Sequence, residues 1–211
     1  EQTEHFVNSG GLKFDWFTSD YKHRIGVYAS TQHVHRDSYY GTHQDPNAYG
    51  TTNDLTIVGG IQYVYSMAKC WFLPAELTVG AEVNYNSLHD ETISHRHDLQ
   101  QEVFTYSAFA QNEWKNSQWT FLLGLRMDKH SMIKMPIFSP RVNLRYNPAE
   151  WVSLRTGYAM GFRAPQIFDE DLHITAVGGK SSFVSNASNL KPETSHSVNL
   201  SADFYKRFGK V

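Results

Sequence analysis

The densest concentration of reactive side chains lies between residues 157 and 174. There Phe162, Arg163, Ala164 and Pro165 are followed by the acidic run Asp169, Glu170 and Asp171 beside His173. Eleven histidines punctuate the chain, and His43, His89, His95, His97, His130 and His173 fall in polar stretches between more regular segments. Neutral imidazole is a common ligand for haem iron and metal chelates, so one chemistry open to these residues is capture of such a centre. The competing reading is a hydrogen-bonded loop histidine beside carboxylates. His95, Arg96 and His97 could form a metal clip, although such a cluster is more often a solvated loop face. Serine, histidine and aspartate are plentiful, but no nucleophile elbow or fixed-spacing motif organises them, so no catalytic residue is assigned and an enzyme is not expected. No resident metal or cofactor is assigned either.

These side chains must be held by elements, and the elements declare themselves by period. Trp119, Phe121, Leu123, Leu125 and Met127 share one face of a segment whose other face carries Thr120, Gly124, Arg126 and Asp128, with Leu122 the exception. That is the two-residue period of a strand with one apolar and one polar side. The pattern recurs over 76–85, 141–146, 152–158 and 198–204, and less cleanly at about 11–19, 22–36, 55–68 and 100–114. Roughly nine strands of about ten residues or more result, a length that suits tilted membrane strands.

The connections alternate too. Short turns are expected at 18–21, 115–118, 147–150 and 207–210, with a slightly longer one at 68–74; between them lie long links at 37–54, 88–99, 130–137 and 161–193. An antiparallel membrane barrel has this asymmetry, with short periplasmic turns and long extracellular loops. Tyr21, Trp71, Phe72, Trp114, Trp119, Tyr146, Trp151, Tyr205 and Phe208 flank the short turns, as an aromatic girdle at the periplasmic interface would. Glu76, Glu82, Arg126, Asp128, Arg141, Arg145, Arg155 and Asp203 would face a lumen.

Composition is compatible with this reading. The 211 residues are 40% hydrophobic and 14% aromatic, and the mean hydropathy of -0.49 is low. No window approaches the roughly 18 consecutive apolar residues of a spanning helix; a barrel needs only every second residue to face lipid. A net charge of -2 from 19 basic and 21 acidic residues argues against nucleic acid as a partner. Cys70 is the single cysteine, which excludes an internal disulfide. Residues 1–10 carry neither an initiator Met nor an export signal, and the far end stops in what reads as a turn; the chain is expected to be a fragment of a longer protein.

The box formed by Phe162, Arg163, Ala164 and Pro165, with the later Asn189, Leu190, Lys191, Pro192 and Glu193, resembles the paired boxes of TonB-dependent outer-membrane receptors. Segments at 36–41, 45–50 and 138–141 are similar to family segments as well. One departure is Ala187 and Ser188, which stand where the second box usually has Asn-Pro. The resemblance implies an all-β fold, an antiparallel transmembrane β-barrel of roughly 22 strands closed by an N-terminal plug. Residues 1–211 would be a partial barrel domain of about nine strands, without plug or terminal strands. It further implies a protein in the outer membrane of a Gram-negative bacterium. Its partners would be outer-membrane lipid, the TonB-ExbB-ExbD complex acting through the plug, and a scarce, bulky iron chelate or other small ligand.

Within that frame Arg36, Tyr39, Tyr40, Arg163, Asp169, Asp171 and His173 are the candidate ligand contacts. Aromatic and basic groups suit an anionic ferric siderophore, ranked ahead of haem, cobalamin and oligosaccharide. In haem receptors of the family a ligand histidine lies between the two boxes, where His173 sits. Two other classes compete: a passive porin-like channel, which shares the barrel physics and is indifferent to the proton-motive force, and a soluble lectin-like β-protein.

Overall fold

The computed structural model describes residues 2–39, 48–92, 97–167, 175–177, 180–182 and 190–205. Nine strands form one antiparallel sheet in the order β1 (Gln2–Phe17), β2 (His23–Tyr39), β3 (Tyr49–Cys70), β4 (Leu73–Thr92), β5 (His97–Lys115), β6 (Trp119–His130), β7 (Ile137–Ala149), β8 (Val152–Arg163) and β11 (Glu193–Phe204). Between the last two, β9 (Thr175–Val177) and β10 (Lys180–Ser182) pair as a separate small hairpin. Each strand of the large sheet follows its neighbour in sequence, the up-and-down meander of a barrel wall, and β1 and β11 are its two edges.

The wall has two chemically opposite faces. Leu12, Val27, Ile61, Val83, Leu123, Leu125, Leu154 and Leu200 lie on one face with between 39% and 84% of their surface exposed. A soluble sheet would bury such a stripe against a second layer at a gain of about 25 cal/mol per Å². Nothing protein-made covers it among the described residues. An apolar face of this extent needs lipid as its solvent, and the soluble alternative gives way to the membrane wall. The opposite, inner face carries the buried polar side chains Arg36, Thr52, Thr78, Asp90, Ser107, Asp128 and Ser153.

Every short turn is built for the interface. In the β1–β2 turn the Thr18 hydroxyl and the Lys22 backbone N–H both donate to the Asp20 carboxylate, at 2.5 and 3.2 Å, holding its pKa below the ordinary carboxylate range. Asn116 organises the β5–β6 turn by accepting from the backbone N–H groups of Gln118 and Trp119 at 2.9 and 2.7 Å. The expected 68–74 turn is tighter than its sequence suggests. Strands run to Cys70 and restart at Leu73, leaving only Trp71 and Phe72 outside the ladder after a register shift near Met67. A two-residue hairpin demands left-handed backbone, and Trp71 supplies it with φ 62° although it is not glycine. The indole that incurs this strain stacks on Trp114, which in turn stacks on Phe121 and donates from Nε1 to the Cys70 carbonyl. Trp119 and Tyr146 stack at 4.0 Å beside them. The expected turn at 207–210, with Phe208, lies outside the described residues.

A second aromatic belt, not foreseen from sequence, crosses the other end of the outer face. Tyr85 meets Phe104 at 4.7 Å and Phe104 stacks on Tyr106 at 6.3 Å. Beyond it the outer positions turn polar, with Ser87, His89 and Glu91 on β4 and Glu102, Gln100 and Asp98 on β5. Strands β2–β5 therefore project past the lipid. For that reason the links expected at 37–54 and 88–99 are shorter than read: β2 continues to Tyr39, β3 begins at Tyr49, β4 continues to Thr92 and β5 begins at His97.

Candidate functional site

The inner wall carries three polar groupings at three heights. At mid-height Arg126 reaches Glu82 at 2.9 Å and Ser107 at 2.7 Å through Nη2, and Asp128 at 2.8 Å through Nε. Ser107 also donates to Asp128 at 2.6 Å, and the Tyr28 hydroxyl donates to Glu82. Register explains how these meet: Tyr28, Gly60, Glu82, Ser107 and Asp128 stand at one level on five successive strands. Gly60 is what lets the tyrosine cross its strand. A Cβ there would come within 2.5 Å of the Tyr28 ring. The same device recurs one pair lower, where a Cβ on Gly80 would meet the Phe109 ring at 2.5 Å and the Ile61 carbonyl at 2.7 Å. One guanidinium lies between two carboxylates, and the Tyr28 and Ser107 hydroxyls each donate to one of them. The network stiffens the wall. Sequence alternation had placed Glu82, Arg126 and Asp128 on this face, and they prove to be linked to one another.

Toward the turns the inner face carries facing arginines on β7 and β8 and facing glutamates, Glu76 and Glu113, on β4 and β5. Arg145 and Arg155 stand directly opposite on β7 and β8, and Arg155 pairs with Asp203 at 3.1 Å. A cavity of about 510 Å³ opens beside them, lined in part by Gln118, Arg145, Arg155 and Tyr205.

At the mouth, Arg36, Thr52 and Asp90 are register partners on β2, β3 and β4, all at least nine-tenths buried. Arg36 Nη2 donates to Thr52 Oγ1 at 2.8 Å, Thr52 donates onward to Asp90 Oδ1 at 2.5 Å, and the guanidinium lies 3.6 Å from that carboxylate. A charge taken so far from water persists only beside an opposite charge. Tyr39 belongs to the other face. It alternates with the inward Ser38 and its ring tilts against Tyr49 at 4.8 Å, so Arg36 and Tyr39 are not brought together.

The strand expected to leave the sheet near Gly161 continues to Arg163, whose register partner is Glu193. The two motif boxes thus meet at the top of the β8–β11 ladder, with Phe162 opposite Thr194. Past Arg163 the chain turns inward. Ala164 and Ile167 are buried, and Pro165 and Gln166 half-buried. Ile167 packs with Leu88 and Leu99 on the inner side of β4 and β5. Leu190 is exposed and Pro192 half-buried just before β11. Candidates Tyr40, Asp169, Asp171, His173 and Asn189 lie outside the described residues.

The two candidate histidines with described side chains lie on opposite faces. His89 faces outward and bonds Asp98 at 3.1 Å, whereas His130 faces inward and bonds Gln166 at 2.8 Å. His43, His95, His173 and the side chain of His97 lie outside the described residues. Among the described residues no group of three or more His, Cys, Asp or Glu side chains could hold a metal ion.

This wall, with its apolar exterior and wired polar interior, can be set against known proteins. Residues 2–211 match the family model described as TonB dependent receptor-like, beta-barrel. The chain belongs to that family. No curated protein matches it. Among solved structures, the siderophore receptor PirA from Acinetobacter baumannii superposes on 98% of the chain with a TM-score of 0.77 and 19% identity, the chain covering 33% of that structure. A mutant of the ferric enterobactin receptor PfeA from Pseudomonas aeruginosa, in complex with enterobactin, gives 0.74 and 19% over 98% of the chain and 34% of its own. The ferric citrate transporter FecA, unliganded, gives 0.56 and 14% over 78% of the chain and 28% of its own. At these identities the likeness is one of fold. The receptor barrel segment spans about a third of the length of the first two.

Sequence reasoning missed Thr52, Asp90, Gln101 and Ile167. Thr52 and Asp90 lay beyond strands read as ending at 55 and 85; Gln101 lay inside the segment read at about 100–114, where nothing in its own segment marks the residue it binds. Ile167 carries no local signal, since nothing in its own segment marks the wall it reaches.

Proposed function

We propose that this chain is part of the barrel domain, residues 1–211 of a wall of roughly 22 strands, of an outer-membrane receptor and transporter in a Gram-negative bacterium. Its task is uptake of a scarce, bulky ligand, a ferric siderophore first, by active transport coupled to TonB-ExbB-ExbD through a plug carried elsewhere in the protein. The observation that carries this reading is the pairing of the two family boxes at Arg163 and Glu193, with the first box turning into the barrel mouth. Siderophore receptors and a ferric citrate transporter share the wall's fold, which favours an iron chelate over other cargo. The candidate contacts remain Arg36, Tyr39, Tyr40, Arg163, Asp169, Asp171 and His173. Of these, the buried Arg36 holds the mouth together and would act on a ligand through the surface it supports.

The test is complementation by the full-length protein in a strain lacking its own iron-chelate receptors. Expected is accumulation of radiolabelled iron from a ferric siderophore that stops when tonB is deleted or the proton-motive force is collapsed. Accumulation that continues after collapse would identify a passive channel. Growth supported by haem or cobalamin alone would move the ligand to those classes.

A further inference from the structure

The segment that leaves β8 does not rise above the wall; it crosses the inside of it. Gln166 Oε1 meets His130 Nε2 on β6 at 2.8 Å, and one residue later Ile167 meets Gln101 on β5. Gln101 treats Ile167 as a strand partner. Its Oε1 accepts the Ile167 N–H at 3.0 Å and its Nε2 donates to the Ile167 carbonyl at 2.8 Å. The His130 tautomer follows from its surroundings: Nδ1 accepts the Met132 N–H at 3.2 Å, so Nε2 carries the hydrogen and donates to Gln166. Ile167, 2% exposed, fills the space beside Leu88 and Leu99.

The span has little slack. From β8 to β5 is three strand spacings, about 14 Å along the sheet. The four residues from Arg163 to Ile167 reach roughly 13–14 Å at full extension, and the Gln166 N–H to Ala164 carbonyl bond folds the chain slightly at Pro165. The curvature of the wall and the length of the Gln101 side chain close the difference. Leu88 and Asp90 are successive inward positions of β4, and Leu99 stands opposite Asp90. The strap therefore ends beside the Arg36, Thr52 and Asp90 cluster.

We propose that Gln101 and His130 are positioning residues that hold residues 164–167 against the inner wall of the mouth, and that ligand binding at the mouth depends on this strap. The proposal rests on the receptor reading above. Hydrogen–deuterium exchange on the full-length protein, folded in lipid, is measured for the wild type, Gln101→Leu, Gln101→Glu and His130→Phe, beside binding of ferric enterobactin as probe. Gln101→Leu removes both bonds to Ile167, whereas Gln101→Glu keeps the acceptor and loses the donor. Expected is a tenfold or greater rise in exchange at Ala164, Gln166 and Ile167 in Gln101→Leu and a smaller rise in Gln101→Glu. Probe affinity should fall at least fivefold in Gln101→Leu, with exchange in β6–β8 unchanged. Exchange that does not rise at these residues overturns the strap. Exchange that rises there while affinity for a bound probe is unchanged overturns its role in recognition. If the wild type does not bind ferric enterobactin, the siderophore reading loses its support while the exchange result alone still decides the strap.

Discussion

The two ends of the wall are held by different physics. At the turn end, local chemistry suffices: Asn116 caps its own turn, Thr18 and Asp20 bond within theirs, and Trp71, Trp114 and Phe121 stack between sequence neighbours or adjacent strands. At the mouth end, a contact joins segments that are not neighbours in the sheet: Gln101 on β5 bonds Ile167, 66 positions away and past the end of β8. The turn end meets lipid headgroups, where aromatic rings and free N–H groups find partners easily. The mouth stands in water above the lipid, and its inner surface is held by buried charge and by an apolar contact from outside the sheet. Substitutions should therefore be more costly and more widely felt at the mouth.

The largest expected effect tests that directly. Arg36→Met takes the guanidinium from beside the buried Asp90 and should cost about 3–5 kcal/mol in equilibrium unfolding of the full-length protein from lipid vesicles. A cost below that of a turn substitution would break the contrast. Next comes the wall between the two ends, where adjacent residues on opposite faces should respond differently. Ile61→Arg puts a cation against lipid and should cost about 2–4 kcal/mol, whereas the inward Gln62→Lys should stay within about 1 kcal/mol, both by vesicle unfolding. Equal costs would mean that the outer face is not lipid-solvated. Third, Gly80→Ala forces a Cβ against the Phe109 ring and the Ile61 carbonyl and should cost about 1–3 kcal/mol. Adding Phe109→Ala should remove part of that penalty, because one of the two obstacles is gone; a strictly additive double mutant would place the whole effect on the backbone contact. The smallest effect belongs to the turn end. Asn116→Ala removes one acceptor of two N–H donors in an exposed turn and should cost about 0.5–1.5 kcal/mol, with faster exchange confined to Gln118 and Trp119.

The same division marks what was readable in advance. The strand between Trp119 and Met127, the short turn at 115–118 and the aromatic girdle beside it were legible because each is written in neighbouring residues. Alternation assigned Glu82, Arg126 and Asp128 to the inner face correctly. It did not find Tyr28, which joins them only because Gly60, on the strand between it and Glu82, opens the path. It also stopped the long strands too early. Where β4 and β5 leave the lipid their outer positions become polar, and a pattern scored as apolar against polar fades although the ladder continues through Leu88 and Leu99.

By itself, then, the sequence determined a two-faced wall of about nine strands, its alternating short and long connections, and through the two boxes its family. These depend on period, on turn chemistry and on motif, all carried by residues within a few positions of each other. Only the tertiary structure decided that Arg163 pairs with Glu193, that Arg36 and Tyr39 face opposite ways, and that Ile167 reaches back to Gln101. Register, which places one strand against another, is a property of the ladder as a whole, and no single segment contains it.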